Sequence, residues 1–176
     1  GPPMVRRLNQ GEYSASVRAL LDIHFDAGEA LPNEGAGGEG FDNAAETLFI
    51  SPIHAEKYLD AARSAVKYAF ADTRSSQRFL IAIPDENTTP AEAARKILEE
   101  FLPRAFRRQA SPDEISEYLD LFEQAYAEEK AFGPAMQVTL SAVLISPKFL
   151  FIIESPTGSA EPIPLDDFEL ATRLSY

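Results

Sequence analysis

Residues 89–122 decide the fold: Thr89-Pro-Ala-Glu92-Ala-Ala-Arg-Lys-Ile-Leu98-Glu-Glu-Phe-Leu102-Pro-Arg-Ala-Phe106-Arg-Arg-Gln-Ala-Ser111-Pro-Asp-Glu114-Ile-Ser-Glu-Tyr118-Leu-Asp-Leu-Phe122. The same start signal occurs twice in this stretch. A hydroxyl residue comes first, then a proline, and a glutamate stands three positions after the hydroxyl. The hydroxyl accepts a hydrogen bond from the third N–H of a helix, and the glutamate reaches back to the cap N–H. The proline has no N–H to lose where that group would be unpaired anyway. Ala93, Ile97, Leu98, Phe101 and Leu102 follow the first signal at helical spacing. Ile115, Tyr118, Leu119, Phe122 and Tyr126 follow the second. Pro103 is expected to kink the first of these helices, because it removes a hydrogen bond and crowds the preceding turn.

The same grammar reads outward in both directions. Asn9 with Glu12 resembles a capping box leading Tyr13, Val17, Leu20, Leu21 and Phe25. Ser51-Pro52 opens a helix whose apolar face holds Tyr58, Leu59, Ala62, Val66, Ala69 and Phe70. Gly133-Pro134 precedes a buried helix over 136–144. Ser146-Pro147 begins the apolar run Lys148-Phe-Leu-Phe-Ile-Ile153, which is expected at the centre of the core. Asp166 with Glu169 marks one last helix start. Ala71–Gln77 is polar, and Arg78–Ile83 reads as a strand or an extended core segment ended by Pro84. The expected fold is all-α: a multi-helix bundle of about six or seven helices, one long acidic glycine-rich loop, and at most one short extended segment. Residues 1–4 are expected to be a tag remnant or N-terminal extension. Residues 5–77 form an N-terminal lobe containing the loop at 26–50, and 78–154 form a C-terminal lobe. Residues 155–176 are expected to be a linker and the truncated start of a following domain.

Composition narrows the function classes. The 176-residue chain has a formal net charge of −12. That field disfavours phosphate-rich nucleic acid and anionic lipid, and favours a cationic partner, a metal ion or simple solubility. With no cysteine, zinc–thiolate sites, iron–sulfur clusters, covalent haem attachment and disulfides within the chain are excluded. No apolar run has the length of a membrane span. No serine-nucleophile elbow or phosphate-binding loop is present.

The sharpest chemical question lies between Ala19 and Glu56, where there is no lysine or arginine. Asp26, Glu29, Glu34, Glu39, Asp42 and Asn43 offer oxygens to a calcium ion, on a backbone made flexible by Gly35-Ala-Gly-Gly-Glu-Gly40. The spacing is not that of an EF-hand, and the ordinary reading is a solvated loop pinned by Phe41, with Asp42-Asn43 capping a following turn. His24 and His54 are the only histidines. Surface or helix-end placement is their ordinary role, with ligation of haem or a metal as the alternative. Arg104, Arg107 and Arg108 form the one dense basic cluster. They offer a binding surface to the acidic loop or an acidic partner, or else complement a helix C-terminus. The paired acids Glu99-Glu100 and Glu128-Glu129 read as helix surface, and Asp166-Asp167 as a helix start.

Three further stretches carry a family resemblance. The first runs through Arg7-Leu-Asn-Gln-Gly-Glu-Tyr13, Val17-Arg-Ala-Leu-Leu21, Leu31-Pro32, Gly40-Phe-Asp-Asn43, Leu48-Phe-Ile-Ser-Pro52 and Glu56-Lys-Tyr-Leu59. The second joins Ala94-Arg-Lys-Ile-Leu98 and Arg104-Ala-Phe-Arg-Arg108 to Val143-Leu-Ile-Ser-Pro-Lys-Phe-Leu-Phe151. The third is Leu165-Asp-Asp-Phe-Glu-Leu-Ala-Thr-Arg-Leu-Ser-Tyr176. In this order they resemble the helical domains of unknown function found in planctomycete-type, cytochrome c-associated, multi-domain secreted proteins. The resemblance implies an extracytoplasmic (periplasmic or secreted) location and partners among other domains of the same polypeptide. It points to a c-type haem domain and, through other domains, a polysaccharide. It supplies no catalytic residue, and no cofactor is expected in this chain apart from the calcium alternative.

The resulting expectation is a non-catalytic structural or interaction module of a larger cytochrome-linked protein, associated with electron transfer and polysaccharide utilisation. The alternatives are a calcium- or metal-dependent binding module built on the acidic loop, and part of a hydrolase completed by other domains.

Overall fold

In the computed structural model the described residues are 2–24, 26 and 52–154. Strand β1 (Met4–Arg7) leads into α1 (Gln10–Leu21). Then come α2 (Pro52–Ala71), α3 (Thr73–Phe79), α4 (Pro90–Phe106), α5 (Pro112–Glu129), α6 (Phe132–Leu144), the single turn α7 (Pro147–Leu150) and strand β2 (Phe151–Glu154). Among the described residues the architecture is therefore a helical bundle with one small sheet.

The caps form as their chemistry dictates. Thr89 Oγ1 accepts from the Glu92 N–H at 3.1 Å, while Glu92 Oε2 accepts from the Thr89 N–H at 2.8 Å. Ser111 and Glu114 make the same reciprocal pair at 3.1 and 3.0 Å. Asn9 Oδ1 accepts from the Glu12 N–H at 2.8 Å. At the other ends, α1, α4 and α5 stop on residues with left-handed backbone that are not glycine: Asp22 (φ 52°), Arg107 (φ 59°) and Lys130 (φ 56°). The helical assignment of α4 runs through Pro103 to Phe106.

The core is organised around α6, which packs most extensively against α5 and α2 and also meets α4. Its buried side chains include Met136, Leu140, Val143 and Leu144. Thr139 and Ser141 are also buried, and their hydroxyls donate to the Ala135 and Gln137 carbonyls one turn back. That arrangement satisfies both polar groups without an outside partner. Tyr13 of α1 is wholly buried. Its ring meets Tyr58 edge-on at 5.2 Å and Phe149 at 5.7 Å, and its hydroxyl approaches the Leu144 carbonyl at 3.4 Å. Burial, with the neighbouring Tyr58, pushes its phenol well above the usual range. This one side chain therefore ties α1 to α2, α6 and α7.

One expectation is corrected by the structure. Arg78–Ile83 is not a strand, and only Phe79 and, in part, Leu80 meet the core. Arg78 and Phe79 close α3, and the chain then runs outside any helix or strand, with Ile81 and Ile83 exposed. The polar stretch before it is helical because of tertiary contacts to the end of α1. Arg74 Nε and Arg78 Nε lie 3.5 and 3.3 Å from Asp22 Oδ2. That oxygen is buried without a well-aligned hydrogen bond and is held by charge. Ser75 Oγ approaches the Asp22 carbonyl at 2.8 Å and Asp72 Oδ2 at 2.7 Å. The extended segments are elsewhere. β1 and β2 pair antiparallel, Met4 opposite Glu154 through Arg7 opposite Phe151, and the Leu8 N–H continues to the Leu150 carbonyl at 2.7 Å. The 148–153 run is accordingly one helical turn followed by strand, with Phe149, Leu150 and Phe151 buried and Ile152 and Ile153 partly buried.

Candidate functional site

The basic cluster at the end of α4 is divided by the geometry. Arg108 turns inward. Its Nη1 and Nη2 donate to Glu114 Oε1 and Oε2 at 2.9 and 3.0 Å, a two-pronged pair. Lys148 Nζ closes on Glu114 Oε2 at 2.9 Å. Arg108 and Glu114 are 7% and 6% exposed, so they form a buried pair, with the partly exposed Lys148 at its edge. Burial works to raise the Glu114 pKa, but Arg108, Lys148 and the Ser111 N–H outweigh it and hold the carboxyl at about 2. Both cations also lie over the Phe106 ring, at 5.5 and 5.9 Å. Glu114 thus serves as the capping glutamate of α5 and as the hinge of a contact joining α4, α5 and α7.

Arg104 and Arg107 turn the other way. Arg104 Nη2 donates to the Leu20 carbonyl at 3.1 Å, satisfying one of the open acceptors at the end of α1. Arg107 Nη1 donates to the Phe149 carbonyl at 3.2 Å, and its guanidinium lies 5.3 Å from the centre of the Phe149 ring. Both arginines line a cleft of about 370 Å³ between α1 and the end of α4, together with Ser16, Leu20, Ala105 and Phe149. Burial pushes the Arg107 pKa down, and Glu12 acts in the opposite sense. Phe149 reads from the sequence as one of several aromatics that line either a ligand pocket or the plain core, whereas Ser16 is a site residue that the sequence did not single out.

Of the candidate metal ligands only Asp26 is described. It is exposed and accepts from Ser14 Oγ at 2.5 Å. Glu29, Glu34, Glu39, Asp42 and Asn43 lie outside the described residues. His24 is exposed and His54 half-buried. Among the described residues no three His, Asp or Glu side chains gather as a metal site would require, and no helix is long and apolar enough to cross a membrane.

No curated protein and no solved structure matches the chain. Two family profiles do. Residues 6–71 match PSD3, described as a protein of unknown function (DUF1587), and residues 93–154 match PSD5, described likewise (DUF1595). The chain thus carries two consecutive domains of unknown function, the second of which contains all three arginines of the cluster and the whole Glu114 triad.

Proposed function

We propose that the chain is a non-catalytic structural and interaction module of a larger extracytoplasmic, cytochrome-linked protein, where it holds neighbouring domains in place for electron transfer associated with polysaccharide use. One observation carries this reading. The two separately matched segments share a core through α2 and α6, and their outer ends are stitched together by β1 and β2. A unit closed in this way leaves its flanking polypeptide at one place and presents the rest of its surface to neighbours. The charged motif residues support the same reading. Arg108, Glu114 and Lys148 are spent on joining elements, not on presenting a reactive group.

The decisive experiment is titration of this chain against the c-type haem domain of its own full-length polypeptide. The expected result is one-to-one binding that weakens as salt rises, as charge complementarity between an acidic surface and a basic partner requires. Absence of binding at low salt would remove the reading. Turnover of a polysaccharide by this chain alone would replace it with a hydrolase.

A further inference from the structure

We propose that the cleft between α1 and the end of α4 is a binding site for a small organic carboxylate, held by Arg104 and Arg107. The inference is independent of the module reading above. A guanidinium carries five N–H donors, and each of these two donates one to a backbone carbonyl, of Leu20 and of Phe149. Neither is within ion-pair distance of a carboxylate among the described residues, in a chain that carries 28 acids. Glu12, the acid that acts on Arg107, is already taken: Arg6 Nη1 binds its Oε2 at 2.7 Å and Asn9 Nδ2 its Oε1 at 2.9 Å. Two cationic forks therefore face a cleft of about 370 Å³ with their remaining donors to place. That volume lies at the small end of known ligand sites, roughly 300–1,000 Å³.

The surroundings select the anion. The fork geometry of arginine matches a planar carboxylate. Leu20, Ala105 and Phe149 underlie the cleft but are 5%, 1% and 1% exposed, so its surface is mainly polar and the charged group of the ligand dominates recognition. Leu20 belongs to the last turn of α1 and Arg104 to that of α4, so two helix C-termini direct partial negative charge at the cleft. A doubly charged phosphate is penalised there more than a singly charged carboxylate. Burial of Arg107 adds to the driving force, because a bound anion offsets the cost of its desolvated charge.

The test is calorimetric titration at low ionic strength with benzoate, acetate and inorganic phosphate. Benzoate and acetate are expected to bind one-to-one with similar affinity, and both more tightly than phosphate. Arg104→Gln and Arg107→Gln should each weaken benzoate by about tenfold, the scale of one charge-assisted contact. Arg107→Lys should fail to restore it, since the planar fork is lost. Ser16→Asp leaves both arginines intact and puts a fixed carboxylate at the half-buried rim of the cleft. It should abolish benzoate binding while helical circular dichroism stays unchanged, so the site is testable even where an arginine variant folds poorly. No benzoate binding, phosphate binding as tight as benzoate, or benzoate binding that survives Ser16→Asp would each overturn the proposal.

Discussion

Arg104 lies in the last turn of α4 and Arg108 two residues beyond its end, yet they live in opposite electrostatic worlds. Arg108 is almost fully enclosed, with a carboxylate across from both of its prongs and Lys148 sharing one oxygen of that carboxylate. Arg104 is exposed and meets a backbone carbonyl. The left-handed turn at Arg107 separates them, since it ends the helix and swings the following residue away from the α4 face. A dense run of arginines is therefore not one basic patch. Its backbone conformation decides which member joins elements and which faces a cleft.

The contrast breaks most visibly at Glu114. Glu114→Ala leaves the Arg108 charge buried without its partner and removes the α5 cap. A loss of about 3–5 kcal/mol is expected in denaturant unfolding. Acid should reproduce much of this reversibly. The folded Glu114 pKa, about 2, lies below its ordinary 4.5. Its contribution is therefore fully present above pH 4.5 and lost as pH falls through 2, up to about 3 kcal/mol in total. Unfolding free energies measured across that window should fall in the parent chain and stay flatter in Glu114→Gln. Arg104→Ala removes a single half-buried hydrogen bond to an uncharged carbonyl, so about 1 kcal/mol is expected in the same assay. A larger loss would mean that Arg104 is as structural as Arg108. The smallest effect has the opposite sign. Lys130 ends α5 at nearly the same backbone angle as Arg107 and carries no comparable contact. Lys130→Gly should stabilise the chain by up to about 1 kcal/mol by relieving the left-handed cost. Arg107→Gly should show no such gain, because the contacts to Phe149 go with the side chain.

Much of this was legible in the sequence wherever the governing contacts are local. The paired signals at Thr89/Glu92 and Ser111/Glu114 define their helices because both partners sit within one turn. The helical spacing of Ile97, Leu98, Phe101 and Leu102 likewise marks a buried face without reference to any other element. Legibility fails where partners are remote. Thr73–Phe79 has no apolar periodicity of its own and is helical against Asp22, which belongs to another helix end. The apolar look of Leu80 to Ile83 suggested core, but no neighbour covers Ile81 or Ile83. The pairing of Met4–Arg7 with Phe151–Glu154 joins opposite ends of the described fold, and neither strand is long enough to announce itself. At the candidate site the arginines were visible as a cluster, but their division was not. It depends on one backbone angle and on where Glu114, Leu20 and Phe149 arrive from elsewhere.

The order of rungs in the two-stranded ladder has a mechanical consequence. Met4 and Glu154 stand opposite each other at its outer end, and Arg7 and Phe151 at its inner end. Tension on the polypeptide to either side would load the Met4–Glu154 rung first, then Val5–Ile153, and so on inward, never all of them at once. Such a zipper opens at low force and closes again when the pull is released. Behind it stand Leu8 and the anchored Tyr13, so strain on the chain would be absorbed at the seam before it reached the helices.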